Sequence, residues 1–134
     1  MSKKTFVIFG LLVVFLAVLI PWLAFRADGE SAPEANVPSD LEPAKALFDV
    51  NCGNCHTLYA AETDGNFGPD LDELLAPAGP AESESTIEST ETRVLSAIEN
   101  GVPGEGPGRM PPGILNGEQA EEVAEFVART AGQG

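Results

Sequence analysis

Two cysteines and a histidine share one register in this chain, Cys52-Gly53-Asn54-Cys55-His56, and the sequence holds no other cysteine and no other histidine. Thiols three residues apart sit on one turn and face the same way. With the adjacent imidazole they form Cys-x-x-Cys-His, the attachment signature of a c-type haem. Each sulfur would reach one vinyl group on the same porphyrin edge, and His56 would point at the iron from the proximal side. Three other readings compete. A thioredoxin-like dithiol requires a βαβ context that the sequence lacks. A zinc site requires a fourth soft or imidazole ligand, and none remains. A disulfide between Cys52 and Cys55 would be strained at that separation. The expected cofactor is therefore one haem c, covalent through Cys52 and Cys55, with His56 on the metal.

The second axial ligand follows by elimination. Met1 lies before the apolar N-terminal run, so Met110, in Gly108-Arg109-Met110-Pro111-Pro112, is the remaining methionine. A lone methionine is usually core filler. Flanking glycines and prolines deny this one a regular element to pack from, and the haem needs a distal partner. His56 and Met110 together imply a closed low-spin iron of relatively high potential. The competing expectation is a five-coordinate iron open to a gas or peroxide. No nucleophile, acid or base constellation is visible, so the chain is expected not to be an enzyme.

The elements that must position these residues are helical. The first starts near Pro43 and carries Ala44, Leu47 and Phe48 on one face into the cysteine motif. A short one covers Leu71 to Ala76. A third, Glu91 to Asn100, groups Val94, Leu95 and Ile98, with Gly101 as C-cap. The last takes Asn116 as N-cap and runs to Thr130, with Ala120, Val123, Ala124 and Val127 at helical spacing. Residues 77–90 read as an exposed loop, residues 102–113 as irregular, and no strand pattern is evident.

Ahead of this lies an apolar run from Phe6 to Phe25, broken only by Gly10 and Pro21. Twenty residues at about 1.5 Å each give about 30 Å, the thickness of a bilayer's hydrocarbon core. Lys3 and Lys4 would hold the short N-terminus on the cytoplasmic side. A cleaved signal peptide is the rival, with a shorter apolar region and a small-x-small site that this run lacks. The expected organisation is a membrane anchor over 1–26, a flexible acidic Pro/Ala-rich tether over 27–42, and a haem domain over 43–132. Localisation would then be the cell membrane, single-pass, with the domain on the periplasmic or extracytoplasmic side.

All 21 acidic residues follow Arg26, against four basic ones, a formal charge of −17. Such a surface disfavours nucleic acid, since no basic patch exists to release counterions. It favours a partner with a basic docking face. The plainer reading is a solvated acidic surface with no partner meaning.

Over residues 43–132 the chain resembles a class I bacterial cytochrome c. Phe48 stands four residues before the first cysteine, as the family's aromatic does. Gly68-Pro69-Asp70-Leu71 is similar to the Gly-Pro-x-Leu element, and the resemblance implies that the Pro69 carbonyl holds the ring of His56. Met110-Pro111 resembles the axial-methionine loop. Leu115 to Phe126 resembles the C-terminal helix, although Phe126 replaces the usual tyrosine and Ala44 a usual glycine. The resemblance implies an all-α domain around one haem, behind a single N-terminal transmembrane helix. It implies a one-electron carrier between membrane-bound donor and acceptor complexes. The alternatives are a haem c subunit fixed in a larger respiratory complex, or a haem sensor or peroxidase.

Overall fold

Of the 134 residues, the computed structural model describes 3–27, 35–104 and 109–134. The chain divides into two units, Met1–Glu34 and Ala35–Gly134.

The first unit is one helix, α1 (Lys3–Ala27), with Pro21 inside it. It is apolar all round: from Val7 to Leu23 nearly every described side chain is exposed within the unit. Among the described residues no helix is long and apolar enough to cross a membrane. Val7 to Leu23 rises roughly 25 Å at 1.5 Å per residue, short of the roughly 30 Å of a hydrocarbon core. The expected N-terminal segment is thus a helix, while a full membrane span lies beyond what the described residues establish.

In the second unit the expected tether is only partly separate. Residues 28–34 of it lie outside the described residues. Its remainder joins the domain: Ala35 and Val37 pack against the core, and Leu41 is buried within it. The boundary therefore falls at Ala35 rather than at Pro43. The cause is Leu41, which becomes the N-cap of α2 (Glu42–Asn51), where Pro43 fills a first-turn position whose missing N–H costs nothing. Ala44 and Phe48 are the buried face of α2.

Beyond the cysteine motif, two short strands pair antiparallel, β1 (Thr57–Leu58) and β2 (Thr63–Asp64), around a 3₁₀ turn at Tyr59–Ala61. The expectation of no strand is corrected here; two residues are too few to display an alternating pattern. Next come α3 (Leu71–Leu75), α4 (Glu84–Asn100) and α5 (Glu118–Thr130). α4 starts seven residues before the expected Glu91, inside the segment read as a loop. Its Ser83 N-cap accepts a hydrogen bond from the Thr86 amide. Ser89 and Thr92 then donate back to the carbonyls of Thr86 and Glu88, so polar side chains form a turn that apolar spacing cannot reveal. α5 is also capped differently. Gly117, at φ 55°, occupies the cap position assigned to Asn116, and no side chain caps the helix.

α5 packs against both α2 and α4 and supplies most of the core. Val123, Phe126 and Val127 are fully buried, and the Phe126 ring meets Phe48 edge-on at 5.9 Å between centroids. Such a pair contributes about 0.5–1.5 kcal/mol beyond its area. Thr130, the buried polar side chain of the core, donates to the Phe126 carbonyl at 2.7 Å and so carries no unsatisfied hydroxyl inward.

Candidate haem site

The cysteine motif is the unwinding end of α2. The Cys52 and Gly53 amides both donate to the Phe48 carbonyl, at 2.7 and 3.0 Å, and those of Cys55 and His56 both donate to the Cys52 carbonyl at 2.9 Å. This tight turn buries Cys52 and exposes Cys55, both as free thiols. Burial, with a smaller contribution from the Cys55 thiol, pushes Cys52 up to about 11. The expected alternatives find no support in this arrangement. The cysteines are not joined, and among the described residues no three His, Cys, Asp or Glu side chains could hold a metal ion.

The orientation of His56 is set by one bond. Its Nδ1 lies 2.9 Å from the Pro69 carbonyl oxygen. A carbonyl can only accept, so Nδ1 carries a proton, and in the neutral ring the lone pair is then on Nε2, the arrangement a metal-ligating imidazole requires. Gly68 makes the approach possible: a Cβ there would lie 2.5 Å from Cε1 and 2.7 Å from Nδ1 of the ring. The Gly68 amide also donates to the Cys55 carbonyl at 2.7 Å, tying the Gly-Pro segment directly to the motif.

Three positioning residues on this side escaped the sequence reading. The Thr63 hydroxyl donates to the His56 carbonyl at 3.0 Å and accepts from the Leu58 amide at 3.1 Å. The Asp70 carboxylate caps α3 through the Asp72 and Glu73 amides. Asp72 spends one oxygen on the Tyr59 amide and the other on the Gly132 amide, each at 2.7 Å, so it joins the loop after His56 to the end of α5. Only the acidic first turn of α3 hinted at any of this, and that signal is common to ordinary helix starts.

Met110 is held by the end of α4. The Val102 amide donates to the Met110 carbonyl at 3.0 Å, and the Gly113 amide to that of Ile98 at 2.8 Å. Gly101, the expected C-cap, has φ 71°, and a Cβ there would lie 2.6 Å from the Met110 carbonyl oxygen. The glycine thus ends the helix and admits the methionine segment to its flank.

A cavity of about 470 Å³ joins these pieces. Cys52, Cys55, His56 and Met110 all line it, together with apolar side chains of α3, α4 and α5 and of the segments between them. Pro69 lines it too, though its carbonyl is engaged by His56. An apolar hollow with two thiols, an imidazole and a thioether fits a covalently bound, axially ligated haem.

Residues 41–131 match the sequence profile of the family described as Cytochrome c. The chain belongs to the cytochrome c family. A covalently attached haem c comes with that membership, and Cys52 and Cys55 are the cysteines that carry it. Among characterised relatives, the photosystem II extrinsic protein V of Synechococcus sp. (strain CC9311) is 33% identical over 79 residues, covering 56% of this chain. The match takes in 46% of that protein, so the chain corresponds to under half of its relative's length. No solved structure matches the chain.

A Gly68→Ala substitution should force the His56 ring off the Pro69 carbonyl and cost about 1–3 kcal/mol, as overpacking does in a filled site. Denaturant unfolding of the haem-loaded protein measures this. An unchanged midpoint would mean that the ring is held by something other than this contact.

Proposed function

We propose that the protein is a one-electron carrier whose iron is held by His56 and Met110, and whose domain is tethered to a membrane and docks acidic face first. The observation that carries the reading is that the Pro69 carbonyl takes Nδ1 of His56, which makes Nε2 the nitrogen for a metal, while Met110 lines the same cavity. The haem supplies reversible one-electron iron chemistry. The chain does the remainder. Cys52 and Cys55 retain the cofactor, and Pro69 through His56 fixes the proximal ligand. The Val102–Met110 pairing brings a thioether to the site, a ligand that favours the reduced state and a high potential. Beyond the thiols that would carry the haem and the two axial side chains, the lining is mostly apolar, which supports electron transfer rather than bond chemistry.

The anchor is supported by α1 itself. A helix that is apolar all round is stable only when buried or in lipid. Lys3 and Lys4 ahead of it favour a cytoplasmic N-terminus and an external domain. The named relative belongs to photosystem II, which supports service to a membrane complex of respiration or photosynthesis. The −17 formal charge of the chain after Arg26 supports a donor or acceptor with a basic face.

Three outcomes test these parts separately. Met110→Ala should abolish the long-wavelength charge-transfer band of the ferric protein, lower the potential and open the ferrous form to carbon monoxide; a retained band would rule Met110 out as ligand. The full chain should stay with membranes through an alkaline carbonate wash and be released by detergent, whereas release by carbonate alone would mean that α1 does not anchor it. Electron transfer with the native partner should slow as salt rises, because exposed charges are screened over about 8 Å at physiological ionic strength. A flat salt profile would remove charge steering from the reading.

A further inference from the structure

The bond between His56 and Pro69 has a companion. His56 donates from Nδ1 to the Pro69 carbonyl at 2.9 Å, and the Tyr59 amide donates to the Asp72 carboxylate at 2.7 Å. Each bond spans thirteen residues of sequence, and the second lies three residues further along both segments. Residues 56–59 and 69–72 are therefore two rails joined by two rungs. The rungs run in opposite senses: the side chain of His56 reaches the backbone of residue 69, and the side chain of Asp72 the backbone of residue 59.

Both rails are stiffened from within. Along the first, the Thr63 hydroxyl donates to the His56 carbonyl and accepts from the Leu58 amide. Along the second, the Asp72 amide donates to the Asp70 carboxylate at 2.9 Å, which fixes the turn just after Pro69. The Asp72 carboxylate is itself held, because its other oxygen accepts from the Gly132 amide at 2.7 Å. Gly132, at φ 86°, is wedged behind α3: a Cβ there would lie 2.7 Å from the Ala76 Cβ and from the Gly79 carbonyl carbon. Two amide donors from separate segments each need an acceptor oxygen, which a carboxylate supplies and a side-chain amide does not. Bonds from an amide to a carboxylate are also among the stronger ones. A frame with two stiff rails cannot slide at one rung without straining the other.

We propose, resting on the haem reading of this site, that Asp72 is a positioning residue for the axial ring. The Tyr59–Asp72 rung keeps the Pro69 carbonyl aligned on Nδ1 of His56. A carbonyl held on that proton fixes the rotation of the imidazole and makes it a better electron donor to a metal. Asp72 does not line the cavity and acts through the backbone segments on either side of it.

The test uses the full haem-loaded protein with Asp72→Ala, which removes both bonds, and two controls. Glu73→Gln removes the same charge one residue along α3, and Leu41→Ala weakens the core at a residue outside the cavity lining. Three measurements follow the ring: the haem-methyl proton shifts of the ferric form, which report its rotation, solvent exchange of the His56 Nδ1 proton, and the reduction potential. Asp72→Ala should redistribute the methyl shifts and raise the potential above that of Glu73→Gln, because a less donating imidazole favours the ferrous form. Exchange should quicken about five- to tenfold, the factor of one lost net hydrogen bond. Leu41→Ala should lower the unfolding midpoint and move none of the three. The proposal is overturned if Asp72→Ala also loses stability but keeps the wild-type shifts and exchange and the potential of Glu73→Gln; the carboxylate would then only brace the fold. Should Asp72→Ala fail to accumulate, the wild-type protein decides. Protection of the Tyr59 amide and of the His56 Nδ1 proton should fall in parallel as denaturant rises, whereas exchange of the ring proton with the amide still protected overturns the proposal. Absence of covalent haem stain in a denaturing gel would instead sink the haem reading itself.

Discussion

The hydrogen bond between His56 Nδ1 and the Pro69 carbonyl is the constraint around which the proximal half is built. To place that carbonyl 2.9 Å from the ring, the chain must leave the cysteine turn, double back and return within thirteen residues. The short β1–β2 pair performs the reversal, and the Thr63 hydroxyl locks the His56 carbonyl to it. Gly68 then lets the returning backbone lie against the imidazole without a side chain between them. Each feature would be unremarked alone. Together they fix the orientation of one ring through backbone groups, the Thr63 hydroxyl and the bare Cα of Gly68.

The distal half solves a different problem with the same means. Met110 belongs to a stretch whose glycines and prolines preclude a helix, so it must borrow rigidity from a neighbour. The end of α4 provides it, through backbone bonds at the methionine's own carbonyl and at Gly113 after it, and a glycine that admits the contact. α5 supports both halves, since it packs on α2, which carries the cysteine turn, and on α4. Asp72 adds a third link, from the loop after His56 to the end of α5. A domain of this size has a marginal core of its own, and a large apolar cofactor in the cavity between these elements adds the missing interior.

What the sequence made legible follows from how local each signal is. Cys52, Cys55 and His56 are readable because three functional residues in five positions carry their own geometry. The face of α5 is readable because Ala120, Val123, Ala124 and Val127 repeat at helical period. The first turns of α4 are not, because Glu84 to Thr92 has Ile87 as its lone apolar residue and is held by Ser and Thr side chains. Asn116 resembled an N-cap by type, but the positive φ of Gly117 decided the matter, and backbone conformation is invisible in a residue pattern. Leu41 looked like part of a tether because its partners lie far along the chain. Thr63 and Asp72 were illegible for the same reason, since their roles exist only once distant backbone amides have been brought to them.

Charge is distributed at two ranges, and the separation has a consequence for redox chemistry. The carboxylates are spread over the surface, where water and salt weaken their effect on a group held in the largely apolar cavity. Their sum still produces a long-range field that a basic partner would meet before contact. At the cavity the sign reverses, because its lining includes Arg93 and Arg109 and no described carboxylate. An acidic surface continued into the cavity would stabilise ferric iron and oppose the effect of a thioether ligand. Keeping acids out of the cavity lets one small domain carry a strongly negative surface with no described carboxylate lining the site of its cofactor.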